Sequence, residues 1–187
     1  MDQHVSAGST TTIVGRLALG VTLLAFGLGH TAVIDGVTAG DAVTLARHVG
    51  GIALFLVGLL ALRDGDTASG TAFTAFGALW FTWASAASGG RVSANAAGLF
   101  LLLFALVALS LAAADGDPLT RGGHGLFAVS LLLIAVAVFS ESTALVKAGG
   151  WFAVAAGAVV WYSATAALAH WPTALPRGRA GRRATAA

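Results

Sequence analysis

The sequence contains no cysteine. That excludes disulfides, thiolate metal sites and cysteine nucleophiles. Charge is scarce too: 10% of residues are Asp, Glu, Lys or Arg, where a soluble domain carries roughly 25%. No charged residue lies deep in an apolar stretch, where it would mark a proton relay or an ion path. His-Glu-x-x-His and carboxylate clusters are missing, so no metal site is expected. The Arg63-Asp64-Gly65-Asp66 turn is too short for an EF-hand. The glycine-rich stretches lie inside apolar segments and are not phosphate loops. An enzyme is therefore disfavoured and no cofactor is expected. A basic n-region is also lacking, since the chain opens Met1-Asp2-Gln3-His4 and runs on through Ser and Thr. The first apolar segment is therefore expected to be retained rather than cleaved as a signal peptide.

What is present is apolar surface. Apolar residues make up 57% of the 187, and the mean hydropathy is +0.86 over the whole chain. Six stretches qualify, or nearly so, for the roughly 20 apolar residues that cross a hydrocarbon core. They run over about 12–34, 45–62, 69–88, 92–114, 123–140 and 146–171. Gly, Asp and Pro occupy the short connections, as turns require. The runs are continuous rather than alternating, which excludes a β-barrel. The expected fold is an all-α integral membrane protein of six transmembrane helices over 12–171. Residues 1–11 form a cytoplasmic N-terminal segment, and 172–187 a basic tail expected to be disordered.

The basic residues orient the bundle. Six spans put both termini on one side, with Arg16, Arg63, Arg121 and the tail residues Arg177, Arg179, Arg182 and Arg183. Arg47, Arg91 and Lys147 fall on the other. The positive-inside bias makes both termini cytoplasmic in a cell membrane, largely through the tail. A pI near 9.9 would suggest nucleic acid in a soluble protein. Beside a bilayer a basic tail faces anionic headgroups instead, and no nucleic acid is expected.

A repeat organises the spans. The second carries Gly50-Gly51 with Gly58, the fourth Ala97-Gly98 with Ala105, the sixth Gly149-Gly150 with Gly157. Each small pair is followed seven residues on by another small residue. Such spacing lets helices approach closely in lipid. The pattern reads as three helix hairpins in one orientation, and a pseudo-threefold axis is one way to arrange them. Chance matches in a Gly- and Ala-rich chain are the competing explanation. The odd helices carry the distinctive faces: Leu19 and Thr22; Phe73, Phe76, Trp80 and Trp83; Phe127, Leu131 and Ile134. Thr71, Thr74 and Thr82 add hydroxyls to the third helix. These faces suit either tight packing or a pathway gated by an apolar constriction. Trp151, Trp161, Tyr162 and Trp171 read as packing and interface anchors. His30, His48, His124 and His170 stand near expected helix ends. There a histidine is an interfacial or capping residue in the plain reading and a proton site in the sharper one. His30 is the most notable, with Asp35 and Asp41 on the same side.

One family fits these residues. Gly50-Gly51-Ile52-Ala53, Gly58-Leu59-Leu60, Gly65-Asp66-Thr67 and Thr71-Ala72-Phe73-Thr74-Ala75-Phe76-Gly77-Ala78-Leu79-Trp80 resemble the acetate uptake transporters, also called succinate–acetate permeases or the YaaH family. Ala148-Gly149-Gly150-Trp151 with Gly157-Ala158, and Gly15 through Thr22, extend the resemblance over nearly the whole chain. It implies passage of acetate or a similar small monocarboxylate, proton-linked or channel-like, through a pore in each protomer of a hexamer. It also implies a hydrophobic constriction made here by Leu19, Phe76 and Leu131. Thr22, Phe73, Thr74, Trp80 and Ser130 would line the pore or contact substrate. This chain departs from the family at Thr10 through Arg16, where two prolines, an asparagine and a leucine are replaced, and at Gly27 through His30. Arg16 at the cytoplasmic mouth would attract a carboxylate or serve as a positive-inside anchor. A pore for a small neutral solute and a non-transporting membrane scaffold are the alternative functions.

Overall fold

A computed structural model describes residues 10–89 and 92–171. The expected segments 1–11 and 172–187 lie almost wholly outside the described residues, as do Arg91 and the four tail arginines. Six helices follow in order: α1 Thr10–Thr31, α2 Ala39–Arg63, α3 Thr67–Gly89, α4 Ala94–Ala114, α5 Pro118–Ser140 and α6 Thr143–Leu168. All but α3 are long and apolar enough to cross a membrane. The Ser, Thr, Gly and Trp content of α3 dilutes its hydropathy, although its 23 residues give it the length. Leu99, Leu103, Leu106 and Leu109 of α4, with many large apolar side chains elsewhere, face outward. An outer surface of this kind needs lipid rather than water around it. Trp151, Trp161 and Tyr162 also point outward along α6.

Side-chain caps fix where the helices begin. Thr38 and Asp41 form a capping box, with Asp41 N–H donating to Thr38 Oγ1 at 3.2 Å and Thr38 N–H donating to Asp41 Oδ2 at 3.0 Å. That box starts α2 six residues before the expected Leu45, inside what reads as a connection. Asp117 accepts Thr120 N–H at 3.0 Å, and Pro118 follows in the first turn. α5 thus begins five residues before the expected Gly123. Gly65 at φ +85° ends α2: Asp66 N–H returns to Ala61 O and Gly65 N–H to Leu62 O, satisfying the last carbonyls. Asp66 then accepts Ser69 N–H at 3.1 Å and starts α3. Within α2, Arg47–Ala53 is wound as a π-helix. Such a bulge accompanies functional sites, and no spacing rule announces it.

The packing revises the hairpin reading. α1 and α2 pack together, as do α5 and α6, but α3 and α4 barely touch. The closest partners include α1 with α6, α4 with α5 and α2 with α3. The small residues explain this. A Cβ on Gly157 would lie 2.7 Å from Leu24 N and 2.9 Å from Gly20 O of α1. One on Gly51 would lie 3.1 Å from the Phe81 backbone of α3, and one on Gly98 would meet the Phe139 ring of α5. The pairs straddle two neighbours: Gly51 meets α3 while Gly50 also meets Thr22 of α1, and Gly150 meets α1 while Gly149 meets Ser130 and Ile134 of α5. The repeat is real as a packing pattern, but its tight contacts run between hairpins as much as within them.

The core is built from the odd helices. Leu19, Leu23 and Phe26, then Phe73, Phe76, Leu79 and Trp80, then Phe127, Leu131 and Ile134 are all buried in one cluster. The even helices supply mainly small residues, among them Ala105, Ala108, Ala153 and Ala156.

Candidate functional site

The large side chains of α1, α3 and α5 stack into a continuous column. His30 lies 4.2 Å from Phe26 by ring centroids, and Phe26 lies 4.9 Å from Trp80. Trp80 stacks on Phe127 at 5.7 Å, with 22° between the planes. Phe127 meets Phe76 edge-on at 5.2 Å, and Phe76 meets His124 at 5.5 Å. The edge-on contacts are the geometry that ring quadrupoles favour. His30 is in the last turn of α1 and His124 in the second turn of α5. The odd helices run in one direction, so the column leads from one face of the bundle towards the other.

Leu19, Phe76 and Leu131 are buried to 1%, 0% and 1% exposure within this core. Phe76 is itself a link of the column, Leu131 stands one turn after Phe127, and Leu19 lines a cavity beside His124. Phe73 and Trp80 are buried with them. The hydroxyl residues divide differently. Thr22 Oγ1 donates to Ala18 O at 2.7 Å within its own helix. Ser130 Oγ donates to Gly149 O at 2.8 Å and so helps join α5 to α6. Thr74 faces Gly58 of α2, while Thr71 and Thr82 are exposed. Thr74 Oγ1, Trp80 Nε1 and His124 Nδ1 are buried without a hydrogen-bond partner among the described residues. Buried polar atoms are nearly always paired, and of these three His124 borders the cavity below the column.

Below the column, towards the N-terminus of α1, lies a polar cavity of about 20 Å³, room for roughly one water. Arg16, Ser69, Asp115, Thr120, His124 and Ser163 supply its polar wall, and Leu19 and Phe73 part of its apolar one. His124 Nδ1 stands 3.9 Å from Asp115 Oδ2, beyond hydrogen-bond reach. Arg16 is half-buried. Asp66 and Asp117 flank it. Burial works against the Asp66 carboxylate, yet hydrogen bonds from Ser69 and Thr12 and the Arg16 charge hold its pKa below the ordinary value. Burial likewise opposes Asp117, and Thr120, Arg16 and Leu119 outweigh it to lower its pKa. Thr12 Oγ1 reaches Asp66 at 2.8 Å and Thr11 Oγ1 reaches Asp64 at 3.0 Å, tying α1 to the α2–α3 turn.

Of the four histidines near expected ends, His48 and His170 are exposed. His30 is half-buried with its Nδ1 2.8 Å from Phe26 O. His124 is the one whose placement the sequence concealed, at 4% exposure. Its signal was the Asp117-Pro118 start, a cap and first-turn proline that move the helix back and carry His124 inside. Phe26, the link between His30 and Trp80, also escaped notice, although it lies seven residues after Leu19 on the same face.

The sequence profile of the GPR1/FUN34/YaaH family matches residues 4–174. A solved structure described as the bacterial acetate channel SatP is similar to this chain, with TM-score 0.78 and 22% identity. The match covers 87% of this chain and 93% of that one, and at this identity it shows the fold. The search of curated proteins found no match.

Proposed function

Since the chain belongs to the GPR1/FUN34/YaaH family, we propose that it passes acetate or a similar small monocarboxylate across a cell membrane through a pore in each protomer. The observation that carries this reading is the column from His30 to His124, flanked by a polar cavity holding Arg16. The neighbouring fold, described as an acetate channel, supports the same solute. Leu19, Phe76 and Leu131 form the constriction, with Phe73 and Trp80 beside it. Thr22, Thr74 and Ser130 take the flanking positions, Thr22 bonded within α1 and Ser130 also joining α5 to α6. Transferring a bare carboxylate into such apolar surroundings is prohibitively costly. The solute therefore crosses the constriction as the neutral acid, which makes passage proton-linked. Both termini face the cytoplasm, and the outward apolar surface meets lipid and further copies in a hexamer.

Purified protein in liposomes, given radiolabelled acetate and an inward proton gradient, accumulates label above empty vesicles. Leu131→Trp reduces that uptake at least tenfold while the protein elutes normally. No uptake of acetate, propionate, lactate or succinate in either direction defeats the reading. The uncharged column also favours a pore for a neutral solute such as ammonia; uptake that never saturates and moves no charge selects it.

A further inference from the structure

The cavity beside the column has a composition the constriction does not explain. Arg16 of α1 and His124 of α5 line it, with Phe73 of α3 and Val160 and Ser163 of α6 closing the sides. Among the described residues no carboxylate lies within ion-pair distance of Arg16, and its guanidinium has five N–H donors to offer. His124 Nδ1 is buried and unpartnered, with Asp115 too far for a direct bond and near enough for a bridging oxygen. A planar cation with no carboxylate in direct contact and an imidazole nitrogen with no hydrogen bond thus line the same small space. Those are the two groups a carboxylate needs if it is to be held and then neutralised.

We propose that Arg16 and His124 form a carboxylate-binding site in which His124 hands its proton to the bound anion. The proposal rests on the transport reading above and adds where the proton comes from. A carboxylate oxygen takes the water-sized space between Arg16 and His124, and the rest of the anion lies in the cavity mouth. The protonated imidazole gives up its Nδ1 proton, a new carboxyl O–H bond forms, and the neutral acid leaves Arg16 for the apolar column. His124 is left neutral and regains a proton from water at the cavity mouth. Each cycle carries one acid molecule, that is one anion and one proton. In reverse, the arriving acid returns its proton to neutral His124 and leaves as the anion. The charged groups that face His124 are Asp115, from the α4–α5 connection, at 3.9 Å, and Arg16, which lines the same cavity. Asp66 and Asp117 act on Arg16 in turn. α3 presents Phe76 to the imidazole and no charge, and α6 lines the cavity with Val160 and Ser163. Bound acetate offsets the Arg16 charge beside His124, so anion and proton bind cooperatively.

The test is ¹⁵N-histidine NMR of the full chain in lipid nanodiscs, titrated with sodium acetate at fixed pH against sodium chloride. The His124 ring signal, assigned through its loss in His124→Gln, moves towards the doubly protonated form with acetate and not with chloride. In Arg16→Gln the acetate concentration for half the effect rises about tenfold or more, the loss of a charged hydrogen bond. Arg16→Lys recovers part of it, which shows that the glutamine variant lost charge and not its fold. A His124 signal that stays still in acetate, or moves equally in chloride or in Arg16→Gln, overturns the site. If vesicles take up acetate while His124 is silent, transport stands and this site falls. If the ring responds while vesicles take up nothing, the site stands and the transport reading falls.

Discussion

At the scale of single residues, the acidic groups beside α1 bind it to the rest of the bundle. Asp66 and Asp117 have lowered pKa values in the folded protein. A carboxylate of this kind stabilises the fold above its unfolded pKa, and the gain is lost as pH falls through the folded value. The reference value is 3.8, so thermal stability in detergent holds from neutral pH to about pH 4 and then drops. Asp66→Asn lowers the neutral-pH melting temperature and flattens the acid limb of a scanning-fluorimetry profile. An unchanged acid limb contradicts the assignment. Asp64 and Asp66 are legible in the sequence as turn residues, because Asp-Gly-Asp is turn chemistry. Their bonds to Thr11 and Thr12 span more than fifty residues, and no local pattern encodes such a pairing. His124 teaches the same lesson. Its identity is visible, but its burial depends on a cap at Asp117 and on the Phe76 ring from another helix.

At the scale of elements, hydrophobic runs located all six helices, and small-residue spacing located the close contacts. α2 escaped at its start, where the Thr38–Asp41 box lies in polar sequence, and in its π-wound segment. The partner of each small pair was also hidden, since a small face records closeness without naming what comes close. Gly157 and Gly122 separate these ideas by experiment. A leucine at Gly157 drives into the α1 backbone, and overpacking of this kind costs about 1–3 kcal/mol. Gly122 has open space around it, and Gly122→Ala changes stability by no more than about 1 kcal/mol, towards stabilisation, by helix propensity. Thermal or denaturant unfolding of the two variants checks both; equal effects contradict the α1–α6 contact. Truncating Phe76, wholly buried in the column, costs about 3–5 kcal/mol, measured the same way.

At the scale of the whole molecule, the division of labour is between odd helices that carry rings and even helices that carry glycine and alanine. This much was readable, since aromatic spacing on the third span and small pairs on the even spans both stand in the sequence. The joining of the rings into one column was not readable, because it depends on Phe26 and Phe127 approaching Trp80 from opposite helices. The central claim is that solute passes through this core at Leu131. The absence of cysteine makes that directly measurable, since an introduced thiol has no background. The Leu131→Cys and Leu103→Cys variants are reconstituted, treated with a small methanethiosulfonate reagent, and assayed for acetate uptake. Leu103 faces outward on α4 and serves as the control. The account predicts that modification stops uptake in Leu131→Cys, that excess acetate slows this loss, and that Leu103→Cys is unaffected. Full uptake through a fully modified Leu131→Cys variant would contradict it.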